Sequence, residues 1–410
     1  KKGTNQTVKR APIRISLFTI ALLIAGAANH GSVTAADHQL VTSVALIHEY
    51  NDNIRLNPSD ELSDNITTVA PKLEVVRLSE RYTVRADGRL EFYRYEEYDE
   101  FDDMDQWYNG SLEATPTERW RLGIQAHASE DNRPDRDIQE TGLVLSNIRR
   151  RRINAGASAE YTFTEMVGGG LTLDFNRENF DDPQVSDRKD YHAVLYLTRS
   201  LDAWLARTTG RLNLSYSHYA FSREYDRTGI SGPFQITTRI ADDYDVDYYS
   251  LTAGTQSALT EKLDLSVNLG GRYALSQRDF ELTRTYSPPL ITEDATISSD
   301  DYDSYGFVGR VNLGYRGERS RCNLLLSHDL QPVSGSNNAV NRTTVRASGS
   351  LRLLERLRGR LYAQWYRNVS DQDDFTQSDI DYQTWNVGGG LSWALNDYFD
   401  LAATYGYTVV

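Results

Sequence analysis

His127 and Ser129 stand two residues apart in "AHASE", with Glu130 beside them. In an extended chain such a pair shares one face. An imidazole beside a hydroxyl can begin a nucleophilic site, because the ring can take the hydroxyl proton. The opposite parity here carries Trp120, Leu122, Ile124 and Ala126. Two other histidines stand alone, in "YSHY" (216–219) and "LSHD" (326–329), and no Ser-His-Asp order can be fixed from them. Carboxylates gather at Asp102, Asp103 and Asp105, and at Asp242, Asp243, Asp245 and Asp247. Carboxylate oxygens suit Ca²⁺, but neither cluster has the Gly and terminal Glu of an EF-hand loop. A solvated acidic loop is the preferred reading of both. The triple glycines 168–170 and 388–390 have no helix behind them, so they are not phosphate loops. They suit close backbone approach or bending of a wall. No catalytic, cofactor-binding or metal-binding residue is assigned, and the chain is read as a non-enzyme.

The most numerous charged side chains at alternating positions are arginines. Arg85, Arg89, Arg121, Arg272, Arg310, Arg346, Arg352, Arg358 and Arg360 share the polar parity of their segments, as do Arg152, Arg211 and Arg316. Carboxylates of the same parity are Glu74, Asp87, Glu91, Glu113, Glu160, Asp174, Asp264 and Asp400. Guanidinium stays charged and binds carboxylates through two parallel bonds. Two readings stay open. The arginines favour anions in a channel, or they pair with the carboxylates as structural ladders. Tyr219, Tyr362 and Tyr366 share this parity and could stack on sugar rings or fill space.

Elements that place side chains in this way must be strands. In "KLDLSVNLGGRY" (262–273), Leu263, Leu265, Val267, Leu269, Gly271 and Tyr273 alternate with Asp264, Ser266, Asn268, Gly270 and Arg272. That is a strand with one apolar and one polar face. Ile153 to Phe163, Phe307 to Tyr315, Val345 to Leu353 and Phe399 to Tyr407 repeat the pattern. Each is long enough for a tilted strand to cross hydrocarbon. Short turns recur at 78–81, 115–119, 163–166, 201–204, 259–262, 316–320, 353–357 and 395–398. Longer acidic stretches fall between them, at 51–65, 96–106, 129–142, 180–190, 287–303 and 370–379. Short turns alternating with long loops are the rhythm of an outer-membrane barrel. No helical period covers a second side of the sheet, as a soluble sheet would need. Tyrosines at strand ends (Tyr93, Tyr95, Tyr98, Tyr216, Tyr219, Tyr248, Tyr249, Tyr362 and Tyr366) read as interfacial girdles. The fold expected is all-β, a single antiparallel transmembrane β-barrel with short periplasmic turns and long acidic external loops. Seventeen strands are counted, the last from Phe399 to Val409. Single-chain bacterial barrels have even numbers, so about eighteen are expected, with the last strand cut short.

The bulk numbers agree with an exported protein. Lys1, Lys2, Lys9, Arg10 and Arg14 precede the apolar run Ile15 to Ala28, and small residues at Val33, Ala35 and Ala36 suit cleavage. Residues 1–36 therefore read as a signal peptide and 37–410 as the barrel. The first residue is not Met, so a start further upstream is expected. Beyond residue 36 there are 39 basic and 58 acidic residues, a net charge of −19. Such a chain is no partner for nucleic acid. A single cysteine, Cys322, excludes an internal disulfide framework and a Cys-rich metal site.

The start of the mature chain resembles a known family. Glu49, Tyr50, Asn51, Asp52 and Asn53 close a first strand, Ser63 and Asp64 follow, and Thr68, Val69 and Pro71 lie in the next. This pattern is similar to that of the β-barrel porin family written porin-2. The family includes EpsL-like outer-membrane proteins of exopolysaccharide operons. The resemblance implies an outer-membrane barrel with a role in polysaccharide export, and no catalytic residues. The His127-x-Ser129 pair resembles the catalytic pair of outer-membrane lipid A deacylases. That enzyme would need the pair on the lipid side, whereas parity turns both residues to the lumen.

The function expected is a pore for hydrophilic anionic solutes, linked to exopolysaccharide export and lined by the nine arginines of the first list and Tyr362. The alternative is a non-conducting structural or adhesive barrel whose acidic loops bind partners. Expected partners are outer-membrane lipid, the barrel-assembly machinery, a polysaccharide or small anionic solute, and periplasmic export components. No cofactor is expected.

Overall fold

The computed structural model describes residues 37–55, 61–132, 148–231, 234–287, 291–335, 339–370 and 381–409. The expected signal peptide lies outside them, as do residues 56–60, 133–142, 288–290 and 371–379 of the acidic stretches. Seventeen strands follow in chain order. They are β1 (Asp37–Asn51), β2 (Asp64–Leu78), β3 (Tyr82–Tyr95), β4 (Asp103–Thr117), β5 (Trp120–Asp131), β6 (Arg150–Thr164), β7 (Val167–Phe180), β8 (Asp187–Ser200) and β9 (Thr208–Ser231). They continue with β10 (Phe234–Ala258), β11 (Leu263–Ser287), β12 (Ile291–Arg316), β13 (Ser320–Pro332), β14 (Ala339–Arg352), β15 (Leu357–Ser370), β16 (Asp381–Ala394) and β17 (Asp400–Val409). Each pairs antiparallel with its sequence neighbours. Among the described residues no ladder joins β1 to β17, so the sheet is not closed as the expected even-numbered barrel would be.

The short turns are closed by local bonds. Ser79 N–H donates to Tyr82 O at 2.9 Å and Gly317 N–H to Ser320 O at 2.8 Å. The alternation sorts the side chains as the zipper pattern requires. Leu195, Leu214, Leu251 and Leu361 leave more than half of their surface bare, and all lie on the outward face. Along the paired strands β11 and β12 the outward apolar band runs from Leu263 and Tyr315 to Tyr273 and Tyr305. Those spans are of the length that a tilted strand needs to cross a membrane. No water meets the backbone there, so only a continuous ladder keeps its N–H and C=O groups paired.

Outward rings bound the band at the loop end. Phe175 meets Tyr191 with ring centroids 5.2 Å apart, Tyr216 meets Tyr249 at 5.1 Å, Tyr273 meets Tyr305 at 4.8 Å and Trp365 meets Trp385 at 6.1 Å. At the turn end Trp120 and Tyr161 are 4.8 Å apart. Of the tyrosines expected in girdles, only Tyr216 and Tyr249 stand in this ring. Tyr93, Tyr248 and Tyr366 are buried on the inner face, and Tyr219 packs beside Tyr248. Nearness to a strand end does not fix which way a residue points; register does.

A second correction concerns the acidic stretches. Residues 291–303 and the aspartates 242–247 were expected in loops, but they belong to β12 and β10. Strands β9 to β12 run 24, 25, 25 and 26 residues. They rise roughly 35 Å past the girdle, at about 3.3 Å per residue and a tilt near 40°. Water reaches the outer face of this tall wall, so its carboxylates remain solvated in a strand as they would in a loop.

The decisive feature lies between β12 and β13. Their ladder ends at Gly309↔His328, whereas the β13–β14 ladder continues to Pro332↔Ala339. Above His328 the hairpin therefore leaves the wall and leans inward. Leu330 and Ala339 pack on Phe221, Tyr244, Val246, Tyr248 and Ala274, the inner face of β9–β11. The Tyr248 hydroxyl donates to Asp329 Oδ1 at 2.5 Å. At the tip, Gly335 pairs with Ser186, in the segment joining β7 to β8. Gly335 has φ 71°, a conformation that glycine adopts without strain.

Candidate functional site

The lumen wall divides into two chemically different halves. Across β3 to β9 most arginines are matched. Arg89 Nη2 lies 2.7 Å from Glu91 Oε1, with its guanidinium 4.7 Å from the Trp107 ring centre. Arg121 Nη1 lies 3.2 Å from Glu160 Oε2. The Tyr196 hydroxyl donates to Glu160 Oε1 at 2.6 Å, and Arg211 lies over the Tyr196 ring at 3.9 Å. These are structural ladders, pinned flat to the wall. Tyr196 can lie there because its neighbour is Gly170, where a Cβ would stand 2.6 Å from the hydroxyl.

The densest network on this half surrounds Glu178, which is wholly buried. Arg150 Nη1, Arg152 Nη2 and Arg188 Nη2 lie 3.4, 3.2 and 3.5 Å from its carboxylate. Arg150 also reaches Asp131 at 2.9 Å, and Arg188 reaches Asp190 at 3.1 Å. Burial works against the Glu178 charge. The guanidiniums of Arg188, Arg152 and Arg150 outweigh it and hold the carboxyl down to about 2. Glu178 lies three residues beyond Phe175 of the girdle, outside the membrane span.

Across β12 to β15 the matching fails. Among the described residues no carboxylate lies within 4.0 Å of Arg310, Arg346, Arg352, Arg358 or Arg360. Arg346 Nη2 donates instead to the Tyr366 hydroxyl at 2.8 Å, which donates to Gln364 Oε1 at 3.0 Å. Arg316 is the exception, 2.6 Å from Asp264. Tyr362 lies against Gly388, where a Cβ would meet its hydroxyl at 2.4 Å. Two hollows follow this half of the wall. One of about 550 Å³ at the turn end is lined by Arg316, Arg321, Arg360 and Tyr362, with Asp264. The other, of about 630 Å³, is bounded by Arg211, Arg310, Arg342, Arg346 and Tyr366, with Asp329 as its acid.

All ten residues expected along the pore share the inward parity set by the register. They are not equivalent. Arg89 and Arg121 are tied to carboxylates. Arg85 is exposed on the inner face, with no carboxylate within 4.0 Å among the described residues. Arg272 departs from the expectation, because it is buried between the wall and the leaning hairpin. It donates to Ser304 Oγ at 3.0 Å and Asn341 Oδ1 at 2.6 Å, so it fastens the hairpin and does not face solute. Parity counting could not foresee a second layer inside the barrel. It also passed over Glu178, Arg188 and Arg342. Arg342 stands four residues before Arg346 on the same face, so it was within reach of the same rule.

The remaining candidates sort as follows. His127 Nδ1 lies 2.7 Å from Asn109 Oδ1, and its face is the lumen. Asp242 is buried between Arg223 at 2.7 Å and Arg278 at 2.8 Å. Asp243, Asp245 and Asp247 face outward, and Asp247 Oδ1 lies 3.0 Å from His218 Nδ1. Burial and neighbouring carboxylates push Asp243 and Asp245 upward, although His218 partly offsets this at Asp245. Among the described residues no group of three or more His, Cys, Asp or Glu side chains is placed to hold a metal ion. In the family-like motif, the Asp64 carboxylate accepts from the backbone N–H groups of Asn65, Glu97 and Tyr98 at 2.7, 3.1 and 3.0 Å. Its work is to close the β3–β4 loop.

No protein-family model matches the chain, and no curated protein matches it. Among solved structures it is similar to the copper transporter OprC, with a TM-score of 0.49 and 10% identity, over 90% of this chain and 63% of that one. It is also similar to the siderophore receptor PiuA from Acinetobacter baumannii, with a TM-score of 0.46 and 11% identity, over 92% and 64%. A third is the ferric-catecholate import receptor Fiu from E. coli K12, with a TM-score of 0.47 and 9% identity, over 83% and 68%. The chain spans less than two thirds of the length of the first two. Nothing about the site follows from likenesses at this level. The chain's own geometry carries the assignment: antiparallel pairing of every strand with its sequence neighbour, a bare apolar band between aromatic rings and a charged interior make it an outer-membrane β-barrel.

Proposed function

We propose that this barrel is a non-enzymatic conduit for hydrophilic, anionic solutes. The observation that supports it is the row of arginines without carboxylates on β12 to β15. Were the arginines only ladders, each would have an acid beside it, as Arg89 and Arg121 do. Unpaired guanidiniums on one wall leave a positive path from the turn end to the middle of the lumen. The external wall of β9–β12 carries Asp243, Asp245, Asp279, Asp301 and Asp303, so the loop end is acidic. That order of charge draws anions in from the periplasmic side. It agrees with export, and the resemblance of the first strands to EpsL-like proteins suggests exopolysaccharide as the cargo. Lipid around the wall, the barrel-assembly machinery and periplasmic export components are the partners on this reading.

The test is reversal potential across a KCl gradient in a planar bilayer. Anion preference that weakens in the double variant Arg346→Ser, Arg358→Ser supports the reading. Unchanged selectivity removes it. The leaning hairpin favours a second reading, a non-conducting adhesive barrel that binds partners through its acidic outer wall. A correctly folded barrel with no conductance would establish that reading instead.

A further inference from the structure

The hairpin that leans into the lumen brings Arg342 to a place where its charge is unmet. Arg342 is opposite Asp329 in the β13–β14 register. That carboxylate is turned away, however, and accepts from the Tyr248 hydroxyl at 2.5 Å and from Leu330 N–H at 2.8 Å. On its other side Arg342 Nε donates to Asn368 Oδ1 at 2.7 Å, a neutral partner. Its Nη2 is buried and has no hydrogen-bond partner among the described residues. The like charge of Arg188 also acts on it, and Arg188 is already committed to Glu178 and Asp190. Desolvation pushes the Arg342 guanidinium down to about 10; Tyr366 opposes the shift and Arg188 adds to it. The group is outside the membrane span, since its partner Asn368 lies beyond Trp365 of the girdle. It is still charged at neutral pH, and a half-buried charge with no carboxylate bonded to it among the described residues is costly.

The surroundings say what would relieve it. Arg342 borders the 630 Å³ hollow, whose size suits a small solute. Two further buried polar atoms on that wall have no partner among the described residues, Arg346 Nε and Asn268 Oδ1. Hydroxyls and amides from Ser250, Thr252, Asn213 and Gln256 complete it. A guanidinium with a free edge takes an oxyanion, and a wall of hydroxyls and amides takes a polyhydroxylated body.

The geometry points to a binding subsite at Arg342, beneath the leaning hairpin, for a carboxylate carried on a sugar. It rests on the conduit reading, since a solute must reach the hollow through the lumen. Its oxygens would take up Arg342 Nη2 while the ring hydroxyls meet the Ser, Thr, Asn and Gln side chains.

Isothermal titration of the refolded full-length barrel with sodium glucuronate, and separately with glucose, tests the subsite without any current. Glucuronate should bind the wild type, and Arg342→Gln should weaken it tenfold or more. Arg342→Lys should stay within about threefold, which guards against loss through misfolding. Glucose should bind at least tenfold more weakly than glucuronate. Equal glucuronate affinity in wild type and Arg342→Gln, or glucose binding as tightly as glucuronate, overturns the subsite. Binding that depends on Arg342 in a barrel without anion selectivity would leave the subsite standing and remove the conduit. Selectivity without such binding would do the reverse.

Discussion

Replacing Glu178 with Gln should be among the most damaging single changes on the inner wall. The carboxylate is wholly buried, and Arg150, Arg152 and Arg188 converge on it within 3.5 Å. Holding a carboxyl at about 2, when its ordinary value is 4.5, corresponds to about 3 kcal/mol at neutral pH. Truncating one member of a buried ion network costs roughly 3–5 kcal/mol, because the partners are left charged and unpaired. The two routes agree, and they predict a folded-to-unfolded ratio lower by roughly 100-fold. The pH dependence has a definite sign. The Glu178 value is lowered on folding, so its stabilisation is whole above about pH 4.5 and is lost as pH falls toward 2. The assay is urea unfolding of the vesicle-inserted barrel, read by heat-modifiable mobility on gels, at pH 7.5 and at pH 3. Wild type should lose stability between these values, whereas Glu178→Gln should begin weaker and lose less. A Glu178→Gln midpoint equal to wild type at pH 7.5 would refute the reasoning. The double variant Glu178→Gln, Arg188→Gln should recover about 1–3 kcal/mol, because these charges act as one network.

Further outcomes follow from neighbouring features. Gly388→Ala should destabilise by about 1–3 kcal/mol, since the new Cβ would sit 2.4 Å from the Tyr362 hydroxyl; Tyr362→Ala in the same chain should restore the urea midpoint. Gly335→Val should loosen the hairpin tip by about 1–2 kcal/mol, because φ 71° suits no β-branched residue; the measurement is single-channel conductance, which should rise. At Asp242 burial opposes the charge, but Arg278 and Arg223 outweigh it and hold the carboxyl below its ordinary range. Its contribution is present above about pH 4 and lost as pH falls through the lowered value; the protection of β9–β12 amides relative to their intrinsic exchange rates should therefore fall on acidification, and less so in Asp242→Asn.

What was legible in the sequence was whatever depends on period two. The zipper from Leu263 to Tyr273 fixes which side chains meet lipid, and the register of β11 against β12 repeats that division. The eight short turns fall where local acidic and small residues mark them. The inner wall could be read in parity but not in pairing. Arg346 and Arg121 look alike in the chain, yet one faces Tyr366 and the other Glu160. Such partners are set by the stagger of neighbouring strands, which no single strand records. The leaning hairpin was invisible for a different reason. Leu330 and Ala339 are apolar at positions that parity assigns to the outside, so they read as ordinary lipid-facing residues. Only the early end of the β12–β13 ladder turns them onto a second surface. The acidic half of β12 was misread because charge density stands for loop only where a core must be dry.

The departure of that hairpin also leaves something behind in the wall. From Ile291 to Val308, β12 is bonded to β11 on one side, and on the other no strand pairs with it among the described residues. A long row of open peptide groups is the template by which one chain stitches itself to another. In a crowded membrane, identical barrels drift side by side with these rims at the same height. Ser299, Asp300 and Asp301 are exposed there, with Asp303 close by. A neighbour adding its own strand would bring the same carboxylates into register with them, and like charges directly opposite one another destabilise a pair. The acidity of this rim thus has a testable consequence apart from any cargo: neutralising it should make the barrels cluster in the plane of the membrane.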